Sequence, residues 1–156
     1  MKRVLFFLMV FCSVSSLSAK NDGHELSEWL QKCIAQVDVH PDSIFPHLKY
    51  LEKERQSSPS PQKRVMYATV LGKLYALNAW RSQSSYQHTQ APLDSLQEWS
   101  REDYIVASRR CFADALSQKD LLFSMPTQEW IPMVERGRDE AVFGRNMLNV
   151  VWRAYL

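Results

Sequence analysis

Apolar side chains recur at three- and four-residue intervals through Leu26, Trp29, Leu30, Cys33, Ile34 and Val37, which draws one stripe along a first helix starting near Asp22 or Gly23. In "HPDSIFPHLKYLEKERQ" the same spacing puts Ile44, Phe45, Leu48 and Leu51 on the buried side of a second helix. Asp42 or Ser43 is placed to cap it, and Pro46 is tolerable because it falls in the first turn. "SSPSPQ" then breaks the chain. From Gln62 to about Trp80, "QKRVMYATVLGKLYALNAW" is apolar around well over half its circumference, so this helix is expected at the centre with the others around it. Gly72 within it costs about 1 kcal/mol relative to Ala and therefore points to a close helix crossing. Ser100 with Asp103 three residues on has the form of a capping box, opening a helix lined on one side by Tyr104, Ala107, Cys111, Ala115 and Leu116. "SQKDLLFSMPTQEWIPMVERGRDE" reads as a short helix, a proline stop and an extended turn around Trp130-Ile131-Pro132. In the last nineteen residues, Phe143, Met147, Leu148, Val151, Trp152 and Tyr155 form the stripe of a final helix. No strand alternation lasts long enough to predict a sheet. The expected fold is all-α, an irregular helical bundle or helical-hairpin array of five to seven helices.

The first residues follow a different pattern. "MKRVLFFLMVFCSVSSLSAKND" sets Lys2 and Arg3 ahead of an apolar run from Val4 to about Leu17, with small residues after it, which is the layout of a secretory signal peptide. A helix over that run would be roughly 21 Å long, short of a ~30 Å hydrocarbon core, so no stable membrane span is expected. Cleavage after Ser18 or Ala19 divides the chain into a signal, 1–19, and a helical domain, 20–156. Cys12 would suggest a lipoprotein, but Phe11 stands where a small residue is needed before it. The expected location is periplasmic or secreted.

Loss of Lys2 and Arg3 reduces the 19 basic residues to 17, equal to the 17 acidic ones, so the basic pI of the full chain owes something to the signal. A nucleic-acid partner is not expected, because the dense basic spots Arg109-Arg110 and "ERGRDE" are diluted by acidic neighbours. Five Trp, six Tyr and seven Phe with only four Gly describe a chain able to bury a core of its own.

Little in the residues carries chemistry. His24, His40, His47 and His88 make no close ligand pair of the kind found in zinc helices, so neither metal nor cofactor is expected. There is no Gly-rich phosphate loop and no Gly-x-Ser-x-Gly. The acid pairs Glu52/Glu54 and Asp139/Glu140 lie in charge-rich segments and read as solvated, so no catalytic residue is assigned and an enzyme is not expected. Cys33 and Cys111 both fall on apolar helix faces. Export would allow a disulfide between them, worth roughly 4 kcal/mol in the chain-entropy model. Two buried thiols packing as small hydrophobes is the other reading, and both stay open. Leu71, Gly72, Tyr75 and Ala79 resemble the first helix of a tetratricopeptide repeat, but no second copy follows, and Ser84 and His88 occupy the places of the partner helix's small and aromatic residues.

Taken in order, "PDSIFPHLKYLEKE", "VLGKLYALNAWRSQSSYQHT", "LQEWSREDY", "WIPMVERG" and "FGRNMLNVVWRAYL" resemble the helical N-terminal region of long bacterial alpha-2-macroglobulin-like proteins. The resemblance runs from about Pro41 to Leu156 and rests most on Glu98-Trp99-Ser100, on Trp130-Ile131-Pro132 and on Phe143, Met147 and Leu148. It implies an exported protein in which a helical leader precedes β-sandwich macroglobulin domains, some members carrying a thioester that captures a protease. This sequence has no macroglobulin domain and no Cys-Gly-x-Gln run, since Ile34 follows Cys33 and Phe112 follows Cys111, so protease trapping is not carried over. On the resemblance, the abrupt end at Leu156 is that of a leader cut from a longer protein. Two functions follow as expectations. One is a non-catalytic exported module whose partner is protein, namely downstream macroglobulin domains. The other is a free-standing tetratricopeptide-like interaction domain bound to an envelope partner. Oligomeric state is not specified by the sequence.

Overall fold

A computed structural model describes residues 23–82, 93–133 and 145–156, with the side chains of 131–133 left out. Residues 1–22, on which the expected signal peptide and Cys12 fall, and Ser84, His88, Asp139, Glu140 and Phe143 lie outside the described residues. Within them the chain is all-α, as the periodicity predicts. Six α-helices are described: α1 (23–39), α2 (Ile44–Ser57), α3 (Pro61–Ala79), α4 (Arg101–Ser117), α5 (Lys119–Ser124) and α6 (Met147–Tyr155). Short 3-10 turns at Pro41–Ser43, Leu93–Glu98 and Thr127–Met133 join them. No described helix is long and apolar enough to cross a membrane.

Helix α3 is the centre. Ser60 caps it by accepting from the Lys63 amide at 3.3 Å, and Pro61 occupies the first turn, where its missing N–H is not needed. Val65 through Gly72 are all buried, and Leu71 and Tyr75 have no exposure at all. Helix α4 lies against it. Its start is the expected capping box: the Ser100 amide donates to Asp103 Oδ2 at 2.8 Å and the Asp103 amide donates to Ser100 Oγ at 3.2 Å. The two helices run antiparallel, with Ala79 and Trp80 near Arg101, Gly72 near Phe112, and Pro61 near Ser117. Gly72 marks the close crossing that its cost implies. A Cβ there would stand 2.8 Å from the Phe112 ring, and Ser108 Oγ donates to the Gly72 carbonyl at 2.7 Å. Any larger residue would push the helices apart.

Helix α2 buries Ile44, Leu48 and Leu51 as its spacing requires, with Phe45 half-buried. The expected Asp42 or Ser43 side-chain cap does not form. The 3-10 turn Pro41–Ser43 runs directly into α2, so Ser43 already has helical dihedrals and its hydroxyl makes no capping bond. Helix α1 lies across α2. Trp29 stacks on Tyr50 at 5.5 Å and meets His47 edge-on at 5.4 Å, and Gln36 Oε1 sits 2.8 Å from His47 Nε2. Burial pushes the His47 imidazole below its ordinary value. The α1 start abuts the last 3-10 turn, since a Cβ on Gly23 would come within 2.6 Å of the Glu129 carbonyl.

Two expectations near the C-terminal end are corrected. The segment around Trp130 is not extended but 3-10 helical over Thr127–Met133. The final apolar stripe is not one helix either, because α6 begins only at Met147. Asn146 caps it by accepting from the Asn149 amide at 3.3 Å. Asn146 also forms an antiparallel bridge with Pro126, and the Met147 amide donates to the Met125 carbonyl at 3.0 Å. These bonds tie the entry of α6 to the segment after α5, so the helix comes down onto α3, α4 and α5.

Candidate functional site

Where α3, α4 and α6 meet, small side chains leave an open groove of about 360 Å³. Ala76 and Ala79 of α3 and Ala154 of α6 form its floor together with Ile105, Ser108 and Phe112 of α4. Trp80, Arg101, Arg109 and Tyr155 stand around it. Trp80 is 76% exposed, and the Arg101 guanidinium lies 4.5 Å from its ring centroid. At such an exposed site the cation–π contact is worth about 0.5–1 kcal/mol, enough to favour one orientation of both groups. Tyr155 touches Phe112 at 5.7 Å and Trp152 at 6.1 Å between ring centroids. Trp152 and Tyr155 are each nearly half exposed, and Leu77 and Val106 add exposed apolar surface on the adjoining turns of α3 and α4. Arg101 and Arg109 make no ion pair among the described residues, and no Asp or Glu lines the groove.

A second cluster lies inside the protein, between α2, α3 and α4. Glu52, expected to be solvated, is instead buried. Its carboxylate meets Arg55 Nη2 at 2.9 Å and accepts from the Tyr75 hydroxyl at 3.2 Å. Arg55 Nη1 reaches on to Asp114 of α4 at 2.9 Å, so one guanidinium joins two helices. Desolvation opposes the charge on Arg55, but the hydrogen bond and charge of Glu52 outweigh it and hold the group above its ordinary range. Cys111 lies in the field of the same residues. Burial, followed by the negative charge of Glu52, pushes its thiol up to about 12, so it is a protonated thiol at neutral pH. Burial and then Glu52 also raise the Tyr75 phenol, which stays a donor. Every charge here has an internal partner, which is the pattern of a structural brace.

Cys33 and Cys111 are both buried and both free thiols, Cys33 on α1 and Cys111 within the α2–α3–α4 cluster. Among the described residues His24 pairs with Glu28 on an exposed helical turn, and His47 meets Gln36 and the edge of Trp29. Among the described residues no group of His, Cys, Asp and Glu is placed to hold a metal. Sequence reasoning missed Glu52 and the groove. The burial of Glu52 could have been read from its position four residues after Leu48 and eight after Ile44, on the apolar face of α2. The groove had no such signal, since it depends on which alanines of α3 and α6 are brought opposite α4. No protein-family model, curated protein or solved structure matches the chain.

Proposed function

We propose that this chain is a non-catalytic helical module of an exported protein, and that it acts by docking a segment of another protein or domain in the α3–α4–α6 groove. The observation that carries this reading is the groove itself: a concave surface with an apolar floor, ringed by Trp80, Arg101, Arg109 and Tyr155. Aromatic side chains and arginine around a desolvatable centre are the residues that anchor protein interfaces. Export is supported by the charged, apolar and small-residue order of the first nineteen residues. The resemblance to alpha-2-macroglobulin-like leaders supports a macroglobulin domain as the docked partner. The alternative, a tetratricopeptide-like module for an envelope partner, is supported by the antiparallel α3–α4 pair with Gly72 at its crossing.

A photo-reactive phenylalanine at exposed Val106, on the turn of α4 that carries the lining residues Ile105 and Arg109, tests the reading against the same group at Val39, which is 70% exposed at the C-terminal end of α1. A discrete adduct from position 106, lost with Trp80→Ser/Tyr155→Ser and absent from position 39, is the expected result in producing cells. Equal labelling at both positions would refute docking at this surface. Direct binding of a macroglobulin domain separates the first partner class from the second.

A further inference from the structure

This inference rests on the docking reading above and concerns the chemistry of the occupant. We propose that the groove takes an acidic amphipathic segment, one that turns aliphatic or aromatic side chains toward the floor and carboxylates toward Arg101 and Arg109. The floor selects the apolar part. Ala76, Ala79 and Ile105 offer no side-chain donor or acceptor, so only apolar groups gain by leaving water there. The rim selects the charge. Two guanidinium groups stand at the groove, no acidic side chain lines it, and although Leu156 with its terminal carboxylate is part of the lining, neither arginine forms an ion pair among the described residues. The contrast with Arg55 is direct, because that guanidinium is already paired with both Glu52 and Asp114. Arg101 is also oriented in advance by the Trp80 ring at 4.5 Å, which lowers the entropy lost when a carboxylate takes its planar fork. A nucleic-acid strand would satisfy the arginines but would cover an apolar floor with phosphates and sugars, leaving that surface without a reason.

The test is selection of a displayed library of random twenty-residue peptides on the purified chain, with two variants as counter-screens. Arg101→Glu/Arg109→Glu removes and inverts the rim charge, and both positions are exposed, so the fold is retained. Trp80→Ser/Tyr155→Ser removes the aromatic walls. The expected winners carry apolar residues at helical or alternate spacing with an excess of Asp and Glu, and fail on both variants. Replacing their acids by Asn and Gln should weaken binding by about tenfold or more at low salt, with the difference shrinking as salt rises. Winners that fail on the aromatic variant but survive the arginine variant, or that show no acidic excess, would overturn this inference and leave the docking reading standing. If no peptide distinguishes the chain from the aromatic variant, both fall.

Discussion

Helices α3 and α6 are both apolar, yet they are held in different ways. Helix α3 buries residues on every side, and its contact with α4 is an interlock in which Gly72 admits the Phe112 ring and receives the Ser108 hydrogen bond. Helix α6 buries only Met147 and Val151 completely and leaves Trp152 and Tyr155 partly in solvent. The first contact is specified by shape, so there is little freedom in it. The second is specified by a stripe and an anchored N-terminal cap, and one wall of the groove is therefore half exposed. A buried centre and a half-open wall can be built from the same residue types when one helix is surrounded and the other is only half covered.

The sharpest way to break the comparison is to place the same charge on both helices. Leu71→Asp puts an unpaired carboxylate at a position with no exposure and should cost about 4 kcal/mol or prevent folding. Trp152→Asp, on a side chain 46% exposed, loses only part of its covered apolar area and should cost about 1–2 kcal/mol, well below the effect at Leu71. Denaturant titration measures both.

Next in size is the brace. Glu52→Gln leaves Arg55 with Asp114 alone and leaves Tyr75 a weaker acceptor, for an expected loss of about 1–3 kcal/mol. An unchanged midpoint would mean that the internal pair contributes nothing net.

Gly72→Ala sharpens the interlock. The helix backbone gains about 1 kcal/mol from alanine, but the new methyl stands 2.8 Å from a buried Phe112 ring, so the net change should be destabilising by about 1–2 kcal/mol. Phe112→Leu in the same chain should recover part of it, and a double-mutant cycle reads the coupling. Additive losses would show that the crossing is looser than drawn.

The smallest effect is in pH. The Cys111 thiol keeps its proton in the folded chain up to about 12, against an ordinary value of 9.0. Above about pH 9 the unfolded chain releases a proton that the native chain retains, so stability is intact below that value and falls as pH rises toward 12. Cys111→Ser should flatten part of the alkaline slope, the remainder belonging to Cys33, Tyr50, Tyr67, Tyr75 and Tyr104, which burial also raises. Thermal melts between pH 8 and 11 measure this, and identical slopes for the two chains would refute it.

Much of the scaffold was legible in the sequence. The all-round apolar character of 62–80, the glycine within it and the Ser100–Asp103 box each have a local physical meaning that tertiary context did not override. The missed features depend on neighbours. Ser43 lost its capping role because a 3-10 turn precedes it, and the last stripe was divided because Asn146 is used by Pro126 and by the α6 cap. Glu52 has charge-rich neighbours in sequence, which suggest solvent, whereas its helix face points at Tyr75. The groove is a property of three helices together, and no single segment announces it.

Residue-resolved native-state hydrogen exchange tests most directly the claim that α3 and α4 are the scaffold and α6 its half-open wall. Amides of 66–79 and 104–115 should exchange only through global unfolding, with a shared and steep denaturant dependence. Amides of 150–155 should exchange faster through local opening that is nearly independent of denaturant. Equal protection throughout, or earlier exchange in α3 than in α6, would contradict the account.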